Sequence, residues 1–216
     1  MLGVRVQVAL RLVERLLGTA LTGIDSWADN DLPRIKFLAT GGTIATRGGA
    51  RLSAEEVLQM VPGLQRYARP EPEQFANIAS TAMTLDQWVQ LAKRTNDVFE
   101  ADSGIAGAVI TSGTDSLEEL AYFLHLTVKT GKPVIVVGAM RNAGAPGFEG
   151  PANLLDAFRV AASPDSRGKG VLVVLNDRVE VALPASHTGL LEELLAALEP
   201  RAVGQLQRVH GDLHLG

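Results

Sequence analysis

Gly107-Ala108-Val109-Ile110-Thr111-Ser112-Gly113-Thr114-Asp115-Ser116-Leu117-Glu118-Glu119 is the stretch that decides the fold. Its first five residues form a continuous apolar run, as in a strand covered on both faces of its sheet. A hydroxyl-rich turn with one glycine follows. Ser116-Leu117-Glu118-Glu119 then has the Ser-x-x-Glu pattern of a capping box and predicts a helix start. Strand, polar turn and helix in that order make the repeating unit of a parallel α/β sheet.

The unit recurs outward in both directions. Upstream, Ile35-Lys36-Phe37-Leu38-Ala39 predicts a strand that ends in the tight turn Thr40-Gly41-Gly42. Ser53-Ala54-Glu55-Glu56 predicts a short helix ending near Val61-Pro62-Gly63, and residues 75–79 predict another strand. Thr84-Leu85-Asp86-Gln87 opens a helix to about Phe99, with Leu85, Trp88, Leu91, Ala92 and Thr95 on its apolar face. Downstream, the helix begun at Ser116 is expected to reach Thr130-Gly131. Residues 133–138 (PVIVVG) and 170–175 (GVLVVL) predict buried strands, with a helix over 153–162 between them. The fold class is therefore α/β: a three-layer parallel sheet with helices on both faces.

Composition narrows the function. The chain has 216 residues, 46% of them hydrophobic, enough for one domain with a sizeable core. A net charge of −4 offers no attraction to nucleic acid or to an anionic membrane, so neither is expected as a partner. There are no cysteines, which excludes disulfides and thiolate metal sites. Residues 1–33 read as a leader and linker. Arg5, Arg11, Glu14 and Arg15 interrupt the apolar core that a working export signal or a membrane span needs. The expected compartment is the cytoplasm; an eroded signal peptide is the alternative, and a working one would place the protein in the periplasm.

Ligands on parallel sheets sit at the carboxyl ends of the strands. Those ends carry Thr40-Gly41-Gly42-Thr43, Thr111-Ser112-Gly113-Thr114-Asp115 and Gly138-Ala139-Met140-Arg141. In the first, two glycines allow close backbone approach to a ligand and Thr43 offers a hydroxyl, although a plain turn explains the glycines equally well. It lacks the Gly-Lys-Ser/Thr of a phosphate loop. In the second, a hydroxyl beside a carboxylate suits activation of a nucleophile or capture of an ammonium group, and simple helix capping is the alternative. The Gly-rich residues 141–150 read as a connection. His125, within an apolar helix, reads as a packed residue. His187, His210 and His214 have no metal-ligand spacing, so no metal site is expected.

Five segments in order carry a more specific signal. They are Leu38-Ala39-Thr40-Gly41-Gly42-Thr43-Ile44-Ala45; Thr111-Ser112-Gly113-Thr114-Asp115-Ser116-Leu117-Glu118-Glu119; Val137-Gly138-Ala139-Met140-Arg141; Gly150-Pro151-Ala152-Asn153-Leu154; and 170–177 (GVLVVLND). Together, over residues 34–177, they resemble the bacterial-type L-asparaginases and glutaminase-asparaginases.

The resemblance implies a large N-terminal α/β domain over residues 34–180. It implies hydrolysis of the side-chain amide of asparagine to aspartate and ammonia, without a cofactor. Thr43 takes the position of the attacking threonine, Thr114 that of the second threonine, and Asp115 that of the carboxylate that holds the substrate ammonium. Ser80 matches the residue that binds the substrate α-carboxylate, and Thr81, Gly42 and Gly113 complete the implied binding set. The implied partner is a small amino acid, asparagine or also glutamine, and the family's assembly suggests a homo-oligomer.

Departures from the pattern are specific. Ser112 stands where the family often has His, and Thr81 where it often has Gln. No Tyr lies in residues 48–51, where the family's lid usually carries one. No Lys follows Lys169, although the family places one shortly after Asn176-Asp177 and pairs it with the second threonine; His187 falls near that place. Residues 181–216 are expected to form a divergent tail in place of the small C-terminal domain. The alternative function is a truncated asparaginase relic, weakly active or inactive, that binds amino acids. An unrelated nucleotide-binding α/β domain is a further alternative, disfavoured by the missing phosphate loop.

Overall fold

The structure, a computed structural model, describes residues 32–182. The expectations for the leader, the tail, His187, His210 and His214 fall outside the described residues. The strands are β1 (Arg34–Gly41), β2 (Thr46–Arg47), β3 (Ala50–Arg51), β4 (Arg69–Ile78), β5 (Ile105–Thr111), β6 (Val134–Val137), β7 (Val171–Leu175) and β8 (Arg178–Val181). The helices are α1 (Ala54–Gln59), α2 (Leu85–Ala101), α3 (Leu117–Thr127) and α4 (Gly150–Ala162). Single 3₁₀ turns at Thr43–Ala45, Ser80–Ala82 and Thr114–Ser116 follow β1, β4 and β5.

Six strands form one sheet in the order β4-β1-β5-β6-β7-β8, and β2 pairs with β3 as a separate hairpin. Both faces of the sheet are covered, as the continuous apolar runs predict. Phe37, Val109, Ile135 and Leu172 face one core with α1 and α4; Leu38, Ile110, Val136 and Val171 face another with α2 and α3. Alternate residues of one strand thus enter opposite cores, because side chains switch faces at every step. Phe37 meets Phe158 of α4 with ring centroids 5.8 Å apart, a tilted pair at the centre of the first core. Among the described residues no helix is long and apolar enough to cross a membrane.

The structure corrects the sequence reading at several points. The sheet is mixed: β8 pairs antiparallel with β7, while the other five strands are parallel. The cause is the two-residue turn Asn176-Asp177, at φ 49° and 59°. Asn and Asp tolerate this left-handed region better than other non-glycine residues, and two consecutive residues there make a hairpin. Strand β4 begins six residues earlier than expected. It carries Pro70 and Pro72, which an edge strand accepts because the missing donors can face outward.

The boxes at Ser53 and Thr84 form as predicted, each with reciprocal hydrogen bonds to Glu56 and Gln87. Ser116, by contrast, makes no side-chain cap, because the Thr114–Ser116 turn runs straight into α3. That helix stops at Thr127, before Thr130-Gly131. Asn96 of α2 donates to the Thr127 carbonyl at 3.2 Å and accepts from the Lys129 N–H at 2.7 Å, which holds the chain in its exit direction. Helix α4 starts at Gly150, three residues early, with Pro151 in its first turn where a missing N–H costs nothing. Leu85 is 67% exposed, at the first turn of α2 and off the packed face.

Candidate active site

The chain passes from β1 to β4 on one side and then to β5 on the other. The direction of winding therefore reverses between the β1 and β5 ends, where open parallel sheets form their ligand crevices. Thr43 follows β1, Ser80 follows β4 and Thr114 follows β5, so the three hydroxyls stand beyond the same ends of three adjacent strands.

A buried double hydrogen bond locks the two central ends. The Thr40 N–H donates to Thr111 Oγ1 at 3.0 Å, and Thr40 Oγ1 donates to the Thr111 carbonyl at 2.6 Å. Beyond it the backbones touch. Gly42 has φ 81° and ψ −173°, and a Cβ there would lie 2.5 Å from the Gly113 nitrogen. Only glycine meets both demands. Its N–H donates to the Ile78 carbonyl at 3.0 Å, which ties the turn to the end of β4. Gly113 in turn lies against Ser80: a Cβ at Gly113 would be 2.5 Å from Ser80 Oγ. Gly42, Gly113 and Ser80 are thereby stacked into one compact unit, and Thr43 and Thr114 each follow directly on one of its glycines.

The proposed site side chains differ in exposure. Ser80 is 6% exposed, and its hydroxyl has no hydrogen-bond partner among the described residues. A buried hydroxyl without a partner is costly unless a ligand supplies one. Thr43 and Thr114 are half-buried, whereas Asp115 and Thr81 are exposed. Asp115 makes no ion pair among the described residues, so its carboxylate is open to an external cation. Ser112 is fully buried, and its hydroxyl donates to the Gly113 carbonyl at 3.1 Å. Among the described residues no group of three His, Asp or Glu side chains could hold a metal.

The supporting roles of two residues escaped the sequence reading. Asn153 of α4, 2% exposed, bridges two strand ends: its Nδ2 donates to the Gly138 carbonyl after β6, and its Oδ1 accepts from the Asn176 N–H after β7, both at 3.0 Å. Its sequence signals were a polar residue opening an apolar helical stretch and a place in Gly150-Pro151-Ala152-Asn153-Leu154, one of the segments that carry the family resemblance. Glu149, just before α4, accepts from the Met140 N–H and closes the loop between β6 and α4. Nearby, burial pushes the Asp156 carboxyl above the usual carboxylate range, with Arg159 opposing the shift and the Asp177 carboxyl adding to it.

Comparison with known proteins gives a consistent picture. The family described as "Asparaginase, N-terminal" matches residues 34–215. L-asparaginase 2 of Bacillus subtilis is 44% identical, over 73% of this chain and 44% of its own length. The probable periplasmic L-asparaginase of Haemophilus influenzae is also 44% identical, over 73% of this chain and 47% of its own. The solved structure of a probable cytoplasmic L-asparaginase from Campylobacter jejuni superposes with a TM-score of 0.65 at 42% identity, over 69% of this chain and 46% of that one. The chain thus spans about half the length of the relatives it matches.

Proposed function

Because the chain belongs to the asparaginase family, in the N-terminal part that the family match covers, we propose that it is an amidohydrolase that converts L-asparagine to L-aspartate and ammonia. Thr43 is the nucleophile: its hydroxyl attacks the side-chain amide carbon, ammonia leaves with the transferred proton, and water hydrolyses the resulting ester. Thr114 supports the attack. Asp115 holds the substrate ammonium, and Ser80, next to Thr81, binds the α-carboxylate. Backbone N–H groups around Gly42 and Gly113 stabilise the oxyanion. The compartment we propose is the cytoplasm.

One observation carries this reading. Thr43, Ser80 and Thr114 follow three adjacent parallel strands, and the Gly42–Gly113–Ser80 stack holds their turns together. The unpartnered Ser80 hydroxyl and the unpaired Asp115 suit the two charged ends of an α-amino acid.

A second reading has its own support. The sequence has no lysine after Lys169 to relay the Thr114 proton. General acid–base help contributes on the order of 10²–10⁴-fold to rate. Binding should therefore survive better than turnover. Calorimetry with aspartate, run beside an ammonia assay with asparagine, tests both. Asp115→Ala should abolish binding, and Thr43→Ala should abolish ammonia release while binding persists. Failure of the unsubstituted chain to bind aspartate would refute the proposal.

A further inference from the structure

Three donors converge on one carbonyl beside the proposed nucleophile. The Gly42 oxygen accepts from the Ala45 N–H at 3.2 Å, from the Thr46 hydroxyl at 2.9 Å and from Arg51 Nη1 at 3.3 Å. The same Arg51 nitrogen lies 3.2 Å from Thr46 Oγ1. Thr46 and Arg51 are cross-strand partners in the β2–β3 hairpin. The hairpin is itself held in place: the Thr46 carbonyl accepts from the Ala143 N–H at 2.7 Å, and the Leu52 N–H donates to the Ala45 carbonyl at 2.8 Å.

A carbonyl and the N–H of the next residue belong to one planar trans peptide and point in opposite directions. Holding the Gly42 oxygen therefore aims the Thr43 N–H away from the hairpin donors. Among the described residues that N–H donates to nothing. Donors on the oxygen side polarise the peptide and strengthen the N–H as a donor, and a cationic donor does so most.

We infer that Arg51 is a positioning residue. It fixes and polarises the Gly42–Thr43 peptide, so that the Thr43 N–H favours negative charge on the substrate side chain: the oxyanion during attack and the carboxylate of the product. Arg51 acts through the peptide and does not touch the substrate. The inference rests on the amidohydrolase reading given above.

The test compares two ligands of nearly equal shape. The aspartate side chain is anionic and that of asparagine is neutral. Both are titrated by calorimetry into the full chain carrying Thr43→Ala, which stops turnover and keeps the backbone N–H. Adding Arg51→Ala should weaken aspartate about fivefold, as expected for an exposed charge, and leave asparagine within about twofold. Arg51→Lys should recover part of the aspartate loss. Equal weakening of both ligands, or an unchanged aspartate affinity, would overturn the inference. If neither ligand binds while Arg51 is still in place, the amidohydrolase reading itself falls, and this inference with it.

Discussion

Gly42 and Gly113 meet backbone to backbone, with no room for a Cβ at Gly42, whose φ of 81° and ψ of −173° is a conformation open essentially to glycine. Gly42→Ala should therefore cost about 3 kcal/mol or more, from strain and collision together. At roughly 2–4 °C per kcal/mol for a domain of this size, the thermal midpoint should fall by about 6–12 °C. Gly113 has an ordinary backbone, φ −74° and ψ 151°. Gly113→Ala should cost less stability but displace Ser80 and abolish aspartate binding. Melting curves and calorimetry on the two variants separate the effects.

Asn153 satisfies two backbone groups from neighbouring strand ends. Asn153→Ala would leave the Gly138 carbonyl and the Asn176 N–H without partners inside the protein. Gly138 is buried and Asn176 exposed, so the cost falls mainly on the Gly138 carbonyl: about 1–3 kcal/mol for one unsatisfied buried group, read as a lower urea midpoint. Asn153→Asp keeps the acceptor for Asn176 but buries a carboxylate against the Gly138 carbonyl, so at neutral pH its loss should be at least as large.

Strand runs and turn residues made much of this architecture legible beforehand. Apolar runs such as Val109-Ile110 and Val136-Val137 have few readings besides a doubly covered strand. In a parallel sheet their ends locate Thr43 and Thr114 together. The antiparallel β8 was legible in principle, since Asn176-Asp177 is a recognised hairpin dipeptide position flanked by strand-like residues. Ser116 misled because a local Ser-x-x-Glu pattern cannot reveal a 3₁₀ turn running into the helix. The bonding roles of Arg51 and Asn153 stayed hidden for another reason. Their partners are backbone atoms 9, 15 and 23 residues away, and nothing in residue type marks a backbone atom as a partner.

His125 Nδ1 accepts from the Val171 N–H at 3.2 Å, and burial lowers its pKa from the usual 6.5. Below pH 6.5 the unfolded chain therefore takes up a proton that the folded chain resists. The stability attached to neutral His125 is complete above pH 6.5 and declines as the pH falls below it. Urea unfolding of the unsubstituted chain and of His125→Asn, followed from about pH 7.5 to 5.5, should show this decline in the first and less of it in the second.

Glu73 links β4, β1 and α2 through Arg94 at 2.7 Å and Lys36 at 2.6 Å. The Arg94 hydrogen bond, helped by Lys36 and opposed by burial, lowers its carboxyl from 4.5 to about 2. A depressed acid gives stability that is full above its unfolded pKa and disappears as the pH falls towards its folded one. The stability difference between the unsubstituted chain and Glu73→Gln should accordingly be flat above about pH 5 and shrink between there and about pH 2. A difference independent of pH would show that the network contributes nothing through charge.

The most direct test of the central claim is to mix the full chain with asparagine, quench in acid and locate any covalent adduct by mass spectrometry. Attack by Thr43 would release ammonia and leave an aspartyl ester, which adds the mass of aspartate less one water. The predicted result is that adduct on the peptide carrying Thr43, with both adduct and ammonia release absent from Thr43→Ala. An adduct on another hydroxyl, or undiminished ammonia release by Thr43→Ala, would contradict the account.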